Sequence, residues 1–287
     1  MRKRLVTLLA ALWAALLPLG AQVDLQKEFF SLPDTVTNEY LDSLTLQIAK
    51  PNNYLMVGVY GGACGQMGYF NPTRTTEMQW TYPVVGFSVV RYFTMFGIFP
   101  NMGLEFGAQL NQEGYAFKTN EETGRRPVEP YSGAYKVKMT VPEAYLLSHF
   151  HVDMGEHFKL LAKLGFYTGY RLDITRTLDQ AYTHSSTYTD YISTFKDYER
   201  RWSYGVQGGA GMGLMFSPLE IHLNVQVKWG WESFWNPDYT SPYYYRFAYP
   251  LDAAVTLGVY YQITPRYGHT RAQLRKLARK MMEETHE

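Results

Sequence analysis

Two consecutive segments between Trp202 and Glu232 alternate in polarity with a period of two residues. In the second segment every second residue is large and apolar: Leu219, Ile221, Leu223, Val225, Val227, Trp229 and Trp231. The residues between them are polar or small, and the first segment repeats the pattern with a glycine-rich second face. A period of two indicates β-strands. Because only Ser217 and Pro218 separate the segments, we expect a tight hairpin.

This hairpin alone fits either a soluble β-sandwich or a membrane β-barrel, since both structures give each strand one apolar face. Two features favour the barrel. The polar face is rich in glycine, which suits a crowded interior, and the apolar face ends in Trp229 and Trp231, as an interfacial aromatic girdle would.

The first residues resemble an export signal. Arg2, Lys3 and Arg4 precede an apolar run that ends near Gly20 and Ala21. This pattern predicts a signal peptide over residues 1–21. No later segment is long and apolar enough for a spanning helix, so any membrane span is expected to be a β-barrel.

The overall charge is nearly balanced, with 27 Lys and Arg against 26 Asp and Glu. Nucleic acid is therefore not an expected partner. Cys64 is the only cysteine, which excludes an internal disulfide. The 25 Tyr, 16 Phe and 6 Trp residues are typical of an outer-membrane barrel, whose expected partner is outer-membrane lipid.

Seven connections of alternating length separate eight alternating segments. The predicted strands are Tyr54–Ala63, Tyr82–Tyr92, Met102–Phe117, Tyr135–Val152, His157–Asp173, Trp202–Phe216, Leu219–Glu232 and Arg246–Ile263. Long and short connections in turn are typical of extracellular loops and periplasmic turns. The predicted fold is therefore all-β, an eight-stranded antiparallel up-and-down transmembrane β-barrel over residues 54–263.

Both flanks of the barrel are predicted to be periplasmic. Residues 22–53 form a polar N-terminal segment, and residues 264–287 form a basic tail. Within the tail, Leu274, Leu277, Ala278, Met281 and Met282 have helical spacing, so a short C-terminal amphipathic helix is expected. This helix could lie on the inner leaflet or bind periplasmic or secretion-system proteins. The alternative, a loosely ordered solvated end, stays open.

An eight-stranded barrel is just wide enough to be filled by its own side chains. The charged residues expected to point inward are of both signs, as paired buried charges require. They are Glu105, Glu143, Lys159, Lys163, Arg171, Glu220, Lys228, Glu232 and Asp252. We interpret them as a structural ion-pair network, with a proton or ion path as the alternative.

No catalytic, metal or cofactor site is predicted. His184 lies beside Ser185 in a predicted loop, and Ser148 and His149 point to opposite faces of a strand, so neither pair suits an esterase. His149 and His151 share a face and could bind a metal together with His222, but no further ligand is evident.

The predicted loops contain many tyrosines, a composition that suits a binding surface. These residues are Tyr188, Tyr191, Tyr198, Tyr239, Tyr243, Tyr244 and Tyr245. An extension of the aromatic girdle above the membrane is an equally good interpretation.

The stretch from Tyr54 to Ile263 resembles the outer-membrane β-barrel domain family common in Bacteroidetes, the PorT-like porin family. The segments that carry the resemblance are NYLMVGVYGG, GLEFGAQLNQEGYAFK, PEAYLLSHFHV, FKLLAKLGFYTGYRL, YGVQGGAGMGLMF and LEIHLNVQVKWG. The chain departs from the family at Glu143-Ala144-Tyr145, where a Glu-Ile-Pro run is common, and in its longer basic tail.

The resemblance implies an integral outer-membrane protein, often without known activity. Some members of the family support type IX protein secretion. The family has no shared catalytic motif, so the resemblance implies no catalytic residue in this chain.

From these observations we expect a non-enzymatic barrel with a structural, adhesion or secretion-accessory role. A narrow porin and a lipid-modifying enzyme are the alternatives.

Overall fold

The computed structural model describes residues 53–71, 73–95, 99–121, 123–124, 126–128, 133–155, 157–178, 192–236, 247–264 and 266, and residues 273–274, 276–277 and 280 of the tail. Nearly all of these residues lie in a compact unit of residues 49–277. The predicted signal peptide and almost all of the N-terminal periplasmic segment fall outside the described residues.

Ten strands form one antiparallel sheet. They are β1 (Leu55–Asn71), β2 (Thr76–Glu77), β3 (Gln79–Met95), β4 (Phe99–Phe117), β5 (Ala134–Met154), β6 (Phe158–Tyr170), β7 (Asp173–Leu178), β8 (Trp202–Phe216), β9 (Leu219–Gly230) and β10 (Phe247–Gln262).

Eight of these strands close a ring in the order β4, β3, β1, β10, β9, β8, β6 and β5, and β5 pairs back with β4. The two short strands lengthen this ring, since β2 pairs with β4 beyond β3, and β7 pairs with β5 beyond β6. The predicted eight-stranded antiparallel barrel is confirmed.

The faces of the predicted hairpin are also as expected. Burial alternates residue by residue along all of β9. Val225, which is 51% exposed, lies opposite Ala210 of β8 and Val255 of β10. Asn224 and His222 are buried inside the ring. The exposed apolar side chains of all eight strands thus form an outward band that suits contact with lipid.

The long strand β5 shows where this apolar band ends. In its second half Leu146, Phe150 and Val152 are exposed. In its first half Val137 and Met139 are buried, and the alternate positions are Lys136, Lys138 and Thr140. The same face points inward throughout, but its polarity inverts near Pro142. The first half of β5 therefore belongs to an extracellular extension of the barrel, which has a polar outside and an apolar inside.

This inversion explains why one predicted strand was too short and another strand was missed. β1 runs to Asn71 rather than Ala63, and the predicted loop after residue 173 begins with strand β7, which pairs with Ala134–Thr140. Above the membrane the outward residues no longer contact lipid, so the apolar alternation disappears although the pairing continues. The fifth and seventh predicted strands were too long, because β6 ends at Tyr170 and β9 ends at Gly230.

The described part of the chain contains no helix long and apolar enough to span a membrane. Within the tail, Gln273, Leu274, Lys276, Leu277 and Lys280 have helical backbone conformation. The rest of the expected amphipathic helix lies outside the described residues, and its role stays a prediction.

Candidate functional site

At the periplasmic end of the interior, four groups from different parts of the chain converge on the Glu220 carboxylate of β9. Lys159 of β6 forms an ion pair with it. The Tyr54 hydroxyl donates to Glu220 Oε1 at 3.1 Å, and Gln262 Nε2 donates to the same oxygen at 2.7 Å. His222 Nε2 lies 2.9 Å from Oε2. Burial of this carboxylate is therefore compensated by charge and by hydrogen bonds.

Two further ion-pair groups lie in the middle of the barrel. Lys163 Nζ is 2.7 Å from Glu105 Oε2, which joins β6 to β4. Lys228 of β9 pairs with Glu143 of β5 and lies 3.2 Å from Asp252 Oδ2 of β10. Since β5 and β9 are not neighbours in the ring, the pair of Lys228 and Glu143 crosses the lumen.

Nearer the extracellular end, Arg171 Nε donates to Glu113 Oε2 at 2.9 Å, and the Ser203 hydroxyl donates to Oε1 of the same carboxylate. Both charged side chains are fully buried. Arg171 follows the end of β6, where the chain passes into β7, and its guanidinium stacks 4.9 Å from the Phe234 ring.

Eight of the nine charged residues predicted to face inward are buried in these groups. Glu232 is also buried, but it lies outside these groups, beyond the end of β9, where it pairs with Arg200 and accepts a 2.7 Å hydrogen bond from the Tyr204 hydroxyl. The sequence interpretation missed Glu113, which continues the inward parity of Glu105 and Gln109 on β4. The structural role of the whole network stays a prediction.

The three interior histidines contact protein groups. His149 Nδ1 lies 3.5 Å from Glu105 Oε2, and His151 Nε2 lies 3.7 Å from Asp153 Oδ1. His222 contacts Glu220, and its ring stacks on Tyr260 at a centroid distance of 4.3 Å. Over the described residues, no three His, Cys, Asp or Glu side chains are placed to hold a metal ion.

An apolar cluster occupies the interior of the extracellular extension. Its aromatic members Phe70, Tyr115 and Phe117 pack with ring centroids 5.0 to 5.4 Å apart, and Trp235 lies 5.8 Å from Phe70. Aliphatic side chains of β5 and β7 complete the cluster. This cluster lies inside the ring, above the ion pairs.

The segment 192–200 lies over this apolar cluster and is held by charged groups. Arg176 of β7 pairs with Glu199 and donates to the Thr194 carbonyl at 2.9 Å. Glu199 also forms an isolated β-bridge with Trp235. Among the tyrosines predicted to form a loop binding surface, Tyr198 is half-buried against the cluster, and the other six lie outside the described residues.

We expect Arg176→Met to release the segment 192–200, because it removes the ion pair and the hydrogen bond that hold it. Limited proteolysis of the folded protein should then cut this segment faster, while urea unfolding of the barrel stays unchanged. Thr177→Ala, at the exposed neighbouring position, is the matched control. Equal cleavage rates for both variants would contradict the anchoring role of Arg176.

A closed antiparallel ring with an apolar outer face and an ion-paired interior defines an outer-membrane β-barrel protein. The sequence profile of the outer membrane protein beta-barrel domain family matches residues 42–234. The chain belongs to this family and is located in the outer membrane.

Among solved structures, the chain is similar to OprG of Pseudomonas aeruginosa, with 12% identity, coverage of 74% of this chain and 97% of that chain, and a TM-score of 0.43. It is also similar to Neisserial surface protein A, with 7% identity, coverage of 73% and 97%, and a TM-score of 0.41. For Ail of Yersinia pestis the identity is 9%, the coverage 72% and 98%, and the TM-score 0.35. No curated protein sequence matches the chain.

Proposed function

We propose that this protein is a non-enzymatic outer-membrane barrel with a closed interior, which acts through its extracellular extension as an adhesion or binding surface. The observation that supports the proposal is the set of side chains within the lumen. Ion pairs cross it at several levels, and the apolar cluster caps it. A barrel with such an interior is poorly suited to transport. It is well suited to support a rigid extracellular platform.

The extension has the properties of such a platform. Its strands continue the membrane barrel, so the loops that contain the predicted tyrosine surface start from rigid, paired ends. Its outer face is polar along β5 and β7, with Lys136, Lys138 and Thr175 exposed or half-exposed. Polar side chains around aromatic loops are a favourable composition for protein recognition.

A secretion-accessory role is the second candidate. It is supported by the resemblance of the strand segments to PorT-like proteins of Bacteroidetes and by the basic tail. In this role, the tail would contact an acidic periplasmic protein. Deletion of residues 267–287 should then abolish co-purification of that protein without loss of the folded barrel, and unchanged co-purification would exclude the role.

The porin alternative is tested by liposome swelling. We expect no sugar uptake by the native barrel, because ion pairs span its lumen and the apolar cluster lies above them. The double variant Glu143→Ala/Lys228→Ala removes a pair that crosses the lumen and is expected to raise leakage of small ions, which shows that the assay detects opening. Uptake by the native protein at the rate of a general porin would contradict the proposal.

The enzyme alternative is tested on lipids. Purified protein is incubated with lipopolysaccharide and phospholipid, and the products are measured by mass spectrometry. We expect both substrates to stay unchanged. Deacylated or newly acylated lipid that persists in a repeat preparation would overturn the non-enzymatic assignment.

A further inference from the structure

A cleft of about 450 Å³ opens at the end of the barrel where the chain enters β1. Its lining includes Asn53, Leu55, Arg91, Phe93 and Thr264. The Ser217-Pro218 turn of the β8–β9 hairpin lies at the same end, since Pro218 accepts a hydrogen bond from Gln262 next to Thr264. Short turns mark the periplasmic side of such barrels, so the cleft faces the inner leaflet of the outer membrane.

The cleft contains an unusual charge. Arg91 points outward from β3 and lies between Leu55 of β1 and Leu104 of β4 in the strand register. All other described outward positions of these three strands are uncharged. Within the described residues Arg91 has neither an ion pair nor a hydrogen bond. A guanidinium at the edge of an apolar band thus has no counter-ion among the described residues.

Membrane lipid is the source of anions at this depth. An outward arginine near the membrane border extends its guanidinium into the headgroup layer, and the planar fork of donors matches a phosphate group. In the inner leaflet that phosphate belongs to a glycerophospholipid. The apolar side chains Leu55 and Phe93 are placed to contact its glycerol and upper acyl carbons.

We propose that this cleft binds the phosphodiester of one anionic glycerophospholipid from the periplasmic leaflet, with Arg91 as its main ligand. The Thr264 hydroxyl accepts the Leu55 N–H at 2.7 Å and still has a hydrogen to donate to a phosphate oxygen. No described residue that lines the cleft is acidic. A headgroup with an additional ammonium would therefore find no partner among the described lining residues, so phosphatidylglycerol is favoured over phosphatidylethanolamine.

Native mass spectrometry of the purified full chain, loaded with equal amounts of phosphatidylglycerol and phosphatidylethanolamine, tests this site. We expect one phosphatidylglycerol to be retained per barrel, with at least about a tenfold preference, which corresponds to about 1.4 kcal/mol. Equal retention of both lipids by the native protein would overturn the proposal.

Variants then assign the preference to the cleft. Arg91→Gln should abolish it, and Arg91→Lys should keep part of it because the charge remains but the fork is lost. Lys138→Gln is the matched control, since it removes an outward cation near the extracellular end of β5. Each variant is first checked for the folded, heat-modifiable band. A preference that persists in folded Arg91→Gln, or that falls equally in Lys138→Gln, would contradict the site.

Discussion

Val225→Arg is expected to block assembly of the barrel in the outer membrane. Val225 lies in the middle of β9 on the outward face, where it is 51% exposed and neighbours apolar residues on β8 and β10. A charge at this depth has no polar partner, and the midplane cost for Arg is roughly 2–4 kcal/mol. The fraction of heat-modifiable protein in outer-membrane preparations measures the effect.

An arginine at a different membrane depth on the same strand provides the control. Leu219 is on the same outward face of β9 but at its periplasmic end, where an arginine reaches the headgroup layer and the cost falls to about 0–1 kcal/mol. Leu219→Arg should therefore assemble nearly as well as the native protein. Normal assembly of Val225→Arg, or equal failure of both variants, would show that the outward face of β9 does not contact lipid.

The second large effect is expected for Lys228→Met. Lys228 is buried between the carboxylates of Glu143 and Asp252, and its Nζ lies 4.6 Å from the centre of the Tyr167 ring. Loss of the cation leaves two buried carboxylates without a counter-charge. Removal of one partner of a buried pair typically costs about 3–5 kcal/mol. Urea unfolding in detergent or lipid should show a loss of this size.

Removal of all three charges tests whether the unpaired carboxylates cause this loss of stability. The triple variant Lys228→Met/Glu143→Gln/Asp252→Asn keeps the volume and removes all three charges, so its stability should return close to the native value. Lys118→Met removes the exposed partner of Glu121 above the membrane and should leave the unfolding curve unchanged. A Lys228→Met variant as stable as Lys118→Met would contradict an ion-paired interior.

The membrane part of the fold could be predicted from sequence, because the lipid-facing and inward-facing residues of each strand there differ in polarity. Lipid requires apolar residues at Leu223, Val225 and Val227, and the closed interior selects polar or small ones between them. The same contrast placed Glu143 of β5 inside and His149 and His151 on one face, and all three side chains are buried in the ring.

The extracellular extension could be predicted only in part in this way, because above the membrane the outward face is polar and the inward face is apolar. Val137 and Met139 are inward there, as Tyr145 and His149 are inward within the membrane. A search for a continuous apolar outward face therefore ended β1 at Ala63 and left β7 in a loop, whereas the third and fourth predicted strands, to Phe117 and from Tyr135, already reached into the extension. Alternation between inward and outward positions, followed without regard to polarity, would have continued β1 to Phe70. It would also have placed Glu113 of β4 inside the barrel.

The partners of the interior charges are also hidden in the sequence. Parity places Glu143 and Lys228 inside, but their contact depends on the stagger of β5 and β9 around the ring, and these strands do not pair. Arg176 was assigned to a loop because Thr175 and Thr177 beside it face water rather than lipid. Its role in anchoring the segment 192–200 follows only from the pairing of β7 with β5.

A cysteine scan of β9 in liposomes determines whether this strand separates lipid from an interior without water. In a Cys64→Ala background, cysteines at Ile221, Leu223 and Val227 should react with a lipid-soluble maleimide and not with a charged, membrane-impermeant thiol reagent. Cysteines at the alternate positions Asn224 and Gln226 should react with neither reagent. Reaction of the latter two with the charged reagent would reveal a water-filled lumen and contradict the account.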